Sequence, residues 1–238
     1  MDELFGYAGK ILRVDLSSGK ISSQELDEAT CRNYLGGTGL GAKILYDEVP
    51  PGVNWDSPAN RLIMASGPLG GTRIGGSGTF SVVTKGAMTH GATSTQANGF
   101  FGAFLRLSGF DALVVRGAAL KWSYLYIHDG TAELRDASKL LGKNTWETED
   151  AIKSELDKKE HEMSVFGIGP AGEHLVKFAS IVGDRGHVAA HNGPGAVLGS
   201  KKLKAVAVAR GQNRISLKDG EKLSALAKQW IDNIKANP

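Results

Sequence analysis

The densest chemistry in the chain lies between residues 187 and 208, HVAAHNGPGAVLGSKKLKAVAV, where two histidines, a serine and three lysines accompany a run of glycines. His187 and His191 are four residues apart, a spacing that places two metal ligands on one face of a helix. The flanking Gly186, Gly193 and Pro194 oppose a helix there, so a two-histidine metal site is the lesser reading. Ser200 with Lys201, Lys202 and Lys204 beside exposed amides suits a phosphate or carboxylate, and equally a plain turn with solvated lysines; both stay open. Gly-rich clusters at 36–41, 67–78 and 186–195 suggest tight turns and close backbone approach to a ligand. The first, GGTGLG, misses the G-x-G-x-x-G spacing, and no G-x-x-x-x-G-K-[ST] run occurs. His90, His128, His161 and His174 are scattered over loops and hairpins and read as surface residues. Glu173 and Asp184 read as caps or turn residues, and no nucleophile with its base stands out.

These residues must be carried by an ordinary globular frame, since 41% of residues are hydrophobic and 22% charged. A net charge of +3 with no basic block beyond KKLK gives no nucleic-acid or membrane footprint, while still favouring an anionic ligand. The single Cys31 excludes an internal disulfide or a cysteine-built cluster from this chain alone, and reads as a small buried residue. MDELFGYAGK lacks the regions of a signal peptide and no apolar run approaches a membrane span, which makes a cytoplasmic location the expectation.

Residues 10–26 and 123–136 read as hairpins, the second turning at Asp129-Gly130. Apolar runs at 61–66, 80–85, 111–117, 163–169, 174–182 and 203–211 read as strands. Helices are expected over 27–35, 40–49 and 98–109, with Asn98 as N-cap of the last, and from Asn144, with its Glu147 capping box, to about 158. Residues 86–96 read as a polar loop. A final helix carries Leu223, Leu226, Ala227, Trp230, Ile231 and Ile234 at helical spacing. No fixed-period repeat is visible, although hairpins recur in both halves and allow a duplicated architecture.

Taken together, GYAGKILRVDLSSGKI, YLGGTGLGAKILYDEVPPGVNWDSPANRLIMASGPLGGT, SVVTKGAMT, GAFLRLSGFDALVVRGAA, YLYIHDGTAELRDASKLLGK, TEDAIKSEL, GIGPAGEHLVKFASI and GAVLGSKKLKAVAV resemble the N-terminal domain of the tungsten-containing aldehyde ferredoxin oxidoreductases, in family order. The resemblance implies an α+β fold of two mainly antiparallel β-sheets forming a saddle-like platform with a few helices. It implies a tungstopterin-binding domain over 1–211, with 212–238 opening a linker or a following helical domain. On such a platform sits a bis-pyranopterin carrying tungsten, or molybdenum, whose two phosphates are bridged by Mg2+ held partly by backbone carbonyls.

The first carbonyl loop resembles TQANGFFGA, placing Asn98 at the family's asparagine with Gln96 as the competing position; Ala97 and Gly99 flank it. The second resembles HVAAHNGPGAVLGSK, placing Ala189 at the family's alanine among Val188, Ala190, His191, Asn192, Gly193 and Gly195. The metal-bridging positions so implied are Asn98 and Ala189. This chain departs from the family by carrying Thr79 and Val188 where well-known members carry cofactor-contacting arginines. The activity implied is oxidation of an aldehyde to a carboxylate with ferredoxin as acceptor, in an anaerobic, cytoplasmic setting. The family's 4Fe-4S cysteines and the residues near the substrate lie in later helical domains, so this chain is expected to be inactive alone. It is then a fragment or one subunit of a split enzyme, partnered by the helical domains, with homo-oligomer formation left open. The rivals are the platform of a benzoyl-CoA reductase-type enzyme and a non-catalytic binding protein that has lost the metal.

Overall fold

The computed structural model describes residues 4–237; residues 1–3 and 238, the outer ends of the two expected segments, lie outside the described residues. The first half runs β1 (Lys10–Asp15), β2 (Lys20–Glu25), α1 (Glu28–Tyr34), α2 (Gly37–Glu48), β3 (Leu62–Ala65), β4 (Phe80–Lys85), β5 (Ala92–Ala97), α3 (Phe101–Leu107) and β6 (Ala112–Arg116). The second runs β7 (Ser123–His128), β8 (Thr131–Asp136), α4 (Thr145–Glu155), β9 (Met163–Gly167), α5 (Pro170–Glu173), β10 (Ile181–Gly183), β11 (His187–Ala189), α6 (Pro194–Ser200) and β12 (Leu203–Ala209), before α7 (Gly220–Ala236).

The strands form two six-stranded sheets, β2-β1-β6-β3-β4-β5 and β11-β10-β9-β12-β7-β8. Reversing the second order gives β8-β7-β12-β9-β10-β11, which is the first order with six added to every strand number. Each sheet has one parallel pair, β1 with β6 and β7 with β12, and its other pairings are antiparallel. The chain is therefore duplicated in architecture, with α3 and α6 in equivalent crossovers before the last strand of each unit.

Side-chain alternation explains the layering. Leu12, Val14, Leu62, Met64, Leu113 and Val115 of one sheet meet Leu125, Ile127, Phe166, Val206 and Val208 of the other in a common core. The opposite faces are also covered. Ile11, Ile63, Val83 and Val114 pack under Leu40, Ile44 and Leu45 of α2, while Tyr124, Val165 and Ala205 pack with Ile152 of α4. With both faces buried, the central strands need continuous apolar runs, which is how RLIMAS and LKAVAVA read.

Several expectations are corrected. Residues 86–96 are not all loop: Ala92–Ala97 pairs along its length with β4 as a polar edge strand, in which only Thr93 and Thr95 are β-branched, so the ladder with β4 rather than composition makes it extended. Helix α2 starts at Gly37, inside the first glycine cluster, rather than at 40. Of the expected 174–182 strand only Ile181 and Val182 are extended, in a strand that runs on to Gly183, and the short helix PAGE with Pro170 at its start lies before that segment. GAVLGS is helical, not a turn. Phe100, not Asn98, occupies the N-cap position of α3.

Candidate functional site

The duplication brings two strand ends together. Edge strands β5 and β11 are equivalent members of their units and pack against one another. Ala97, the last residue of β5, pairs with Phe80, the first of β4; Ala189, the last of β11, pairs with Ile181, the first of β10. Both alanine side chains are buried in the core between the sheets, so these positions offer a ligand only main chain. Gln96 and Asn98 flank Ala97 on the surface, as Val188 and Ala190 flank Ala189. Thus Gln96-Ala97-Asn98 and Val188-Ala189-Ala190, drawn from segments nearly a hundred residues apart, occupy corresponding places about one junction.

Hydrogen bonds cross that junction in both directions. Thr95 Oγ1 accepts from the amides of Ala190 and His191 at 3.2 and 3.3 Å. Asn192 Oδ1 accepts from the amides of Met88 and Thr89 at 3.1 and 2.9 Å, and its main-chain carbonyl from Ala87 at 2.9 Å. In the same direction as the Asn192 bonds, buried Asp184 accepts from the Phe100 amide at 2.7 Å. Thr79 Oγ1 donates to Asn98 Oδ1 at 2.8 Å, which satisfies the asparagine that the sequence offered as a cap. Gly78 makes that approach feasible: a Cβ there would stand 1.7 Å from the Gly99 carbonyl.

The remaining candidate residues divide by exposure. His191 is exposed beside Ala190, whereas Gly193 and Gly195 are buried, their α-carbons against the carbonyls of Lys177 and Ser180. His187 lies on extended β11 and His191 in the following turn, so the helical two-histidine geometry is not formed. The other histidines are dispersed: His90, His161 and His174 are exposed, and half-buried His128 stacks on Tyr126 at 4.6 Å.

Of the three lysines after α6, Lys202 is exposed in a turn as one reading had it, while the other two fit neither reading. Lys201 and Lys204 are 1% and 0% exposed, neither solvated nor offered to a ligand. Lys201 Nζ donates to the carbonyls of Asn60 and Gly117 at 2.8 and 3.2 Å. Burial, with nearby Arg61, pushes its pKa down to about 7. Lys204 Nζ pairs with Glu173, so Glu173 is an ion-pair partner and not merely a cap. Cys31 is buried, and burial pushes its thiol up to about 11, which keeps it protonated and inert.

One surface cavity adjoins the junction. Its volume is 500 Å³, and Gly36, Gly37, Gly67, Gly70, Thr79 and Gln96 are among its lining residues. Two of the three glycine clusters therefore converge on the candidate residues, a convergence the sequence marked by composition without showing that the clusters met. A larger cavity of 1020 Å³ between α2 and β4–β5 contains none of the candidate residues and is lined by Leu45, Tyr46, Pro50 and Pro51.

A pterin with a bridging divalent cation fits this surface in one respect and is under-served in another. Among the described residues no group of three or more His, Cys, Asp or Glu side chains could hold a metal. A cation here would therefore be held by main-chain carbonyls and by ligand phosphates, as the buried alanine side chains already require. The side chains at Thr79 and Val188 bring no positive charge, and Arg185, next to the junction, is engaged by Asp150 and Glu160. No helix among the described residues is long and apolar enough to cross a membrane.

Comparison with known proteins agrees with the fold. The family described as "Aldehyde ferredoxin oxidoreductase, N-terminal domain" matches residues 11–210. Tungsten-containing aldehyde ferredoxin oxidoreductases of Pyrococcus abyssi and Pyrococcus furiosus are each 41% identical over 99% of this chain and 38% of their own length. An aliphatic sulfonate oxidoreductase, WOR-like subunit, of Pyrococcus furiosus is 34% identical over 95% of this chain and 38% of its own. The solved active-site complex BamBC of benzoyl coenzyme A reductase superposes with a TM-score of 0.94 at 39% identity, over 98% of this chain and 36% of that one. This chain spans well under half the length of these relatives and corresponds to one domain of them. It belongs to the aldehyde ferredoxin oxidoreductase family, through that family's N-terminal domain.

Proposed function

We propose that this chain is the cofactor platform of a tungsten bis-pyranopterin oxidoreductase that oxidises an aldehyde to a carboxylate and passes the electrons to ferredoxin. The observation that carries this reading is the meeting of two topologically equivalent strand ends, Ala97 and Ala189, whose side chains are buried and whose neighbours are exposed. A cofactor with two similar halves needs a base with two similar edges, and a duplicated pair of sheets supplies one. The bound metal would supply the two-electron chemistry and oxygen-atom transfer. The chain's own residues bind and orient. Asn98 and Ala189 contribute main chain toward Mg2+, Gln96, Ala190 and His191 border the phosphates, and Thr79 fixes the Asn98 side chain. Asn192, Gly193 and Gly195 act beneath them, by setting the path of the second loop.

The 4Fe-4S cluster and the groups near the substrate belong, on this reading, to helical domains or a partner subunit, since buried Cys31 is this chain's single cysteine. A cytoplasmic, anaerobic setting follows from the same chemistry. The likeness to the benzoyl coenzyme A reductase complex favours a second reading, a reductive enzyme on the same platform. Purification of the holoenzyme without oxygen tests all of these. Stoichiometric tungsten or molybdenum with pterin is expected, and its absence would refute the enzyme reading in favour of a metal-free binding protein. Aldehyde-dependent dye reduction without activity on aryl thioesters separates the oxidative from the reductive reading.

A further inference from the structure

We propose that Asp184 is the positioning residue that holds the Asn98–Gly99 loop in register with the second loop across the sheet junction. The inference rests on the platform reading and adds a residue that faces the core rather than the ligand. Asp184 sits in the turn between β10 and β11 at φ 45° and is 7% exposed. Its Oδ2 accepts from the Phe100 amide at 2.7 Å and the Ser164 hydroxyl at 2.8 Å, and its Oδ1 accepts from the Val165 amide at 3.3 Å. No cation forms a salt bridge with it among the described residues. Burial pushes its pKa up, and these donors, with the charge of Lys153, offset only part of that shift.

A turn carboxylate needs no such setting. A buried one whose donors come from β9 of its own sheet and from the loop after β5 of the other unit fixes the distance between them. Contact with the cofactor loop is direct, because Gly99 lies at φ 99° and a Cβ there would stand 2.5 Å from Asp184 Oδ2. The second loop is held reciprocally by Asn192 on the Met88 and Thr89 amides. Each unit's hairpin thus grips the loop that leaves the other unit's edge strand. Removing the Asp184 latch frees the first loop while the second stays pinned.

The test uses the holoenzyme purified without oxygen, comparing wild type with Asp184→Asn, Ser164→Ala and the control Ile152→Ala. Ile152 is fully buried on α4 beneath the second sheet, in one apolar cluster with Val165, and its side chain can form no hydrogen bond to either loop. Readouts are pterin and metal content, pterin release rate at a fixed elevated temperature, melting temperature, and amide exchange over 99–101. Asp184→Asn puts an amide donor against a donor; it is expected to release pterin about tenfold faster, one charge-assisted hydrogen bond expressed as a ratio. Exchange at Phe100 should quicken in the same variant. Ser164→Ala should fall between it and wild type, and carries the test if Asp184→Asn does not accumulate. Ile152→Ala should lower the melting temperature and leave release unchanged. Wild-type release from Asp184→Asn, or release from Ile152→Ala rising in step with lost stability, overturns the proposal. A wild-type protein without pterin overturns the platform reading and this inference with it; a loaded wild type matched by Asp184→Asn overturns this inference alone.

Discussion

Replacing Lys201 by methionine should remove a specific pH dependence of stability. Lys201 is 1% exposed, forms no salt bridge among the described residues, and donates to two carbonyls, those of Asn60 and Gly117. A neutral amine has two N–H groups, which matches two acceptors, whereas an ammonium would keep a third donor buried and unused. With a native pKa of about 7 and an unfolded value near ~10.4, both states hold the proton at low pH and the full cost of burying charge is in force. As pH rises through the native value the folded protein releases its proton while the unfolded chain keeps it, so stability rises until the unfolded value is reached. The slope approaches about 1.4 kcal/mol per pH unit between the two values and the whole gain is about 5 kcal/mol as an upper bound. Urea unfolding of wild type and Lys201→Met at half-unit steps from pH 6 to 10.5 measures it, because other titrating groups cancel in the difference. The wild-type advantage should grow steadily above about pH 7. A difference that stays flat to pH 9 would show that the lysine remains charged in the fold and would refute the reasoning.

Thr79→Arg should slow pterin release from the holoenzyme several-fold by placing a guanidinium beside the Asn98 loop, roughly the worth of one charge-assisted bond to phosphate; equal release would argue against phosphate at this edge. Gly78→Ala should cost about 1–3 kcal/mol of stability and deplete bound pterin, since its methyl would meet the Gly99 carbonyl; an unchanged melting temperature would mean the two loops are not in contact. Asp111→Asn should lower the melting temperature by about 10 °C, because this carboxylate holds buried Arg106 and accepts from the amides of Ala8, Gly9 and Lys10. A fall within the scatter of surface variants would show that the network does not tie the N-terminal segment down.

Much of the frame was legible because its physics is local. Strands buried on both faces announce themselves as apolar runs, and the Asn144–Glu147 capping box fixes the start of α4. The failures share a cause: residues whose usual role is reversed by packing. Edge strand β5 is polar, and its pairing comes from β4 rather than from its own composition. In α6 the glycines read as turn formers, yet a Cβ at Gly199 would stand 2.0 Å from the Gly172 carbonyl, so they allow close helix packing instead. Lys201 and Lys204 belong to a basic run that looks solvated, and only the burial of β12 and its approach draws them inside.

The duplication was the hardest feature to read, and the latches explain why. In one direction the hairpin supplies the side chain, Asp184, and the loop supplies the amide of Phe100; in the other the loop supplies the side chain, Asn192, and the hairpin supplies the amides. The geometry repeats while donor and acceptor change places, so no residue recurs at a fixed period. The exposed neighbours diverge as well. Gln96, Asn98 and Thr79 can hydrogen-bond along the first edge, whereas Val188 and Ala190 present aliphatic groups along the second. A ligand with two similar halves would thus meet equivalent backbone and different side chains. The backbone would set where both halves sit, and the side chains would decide which half takes which edge.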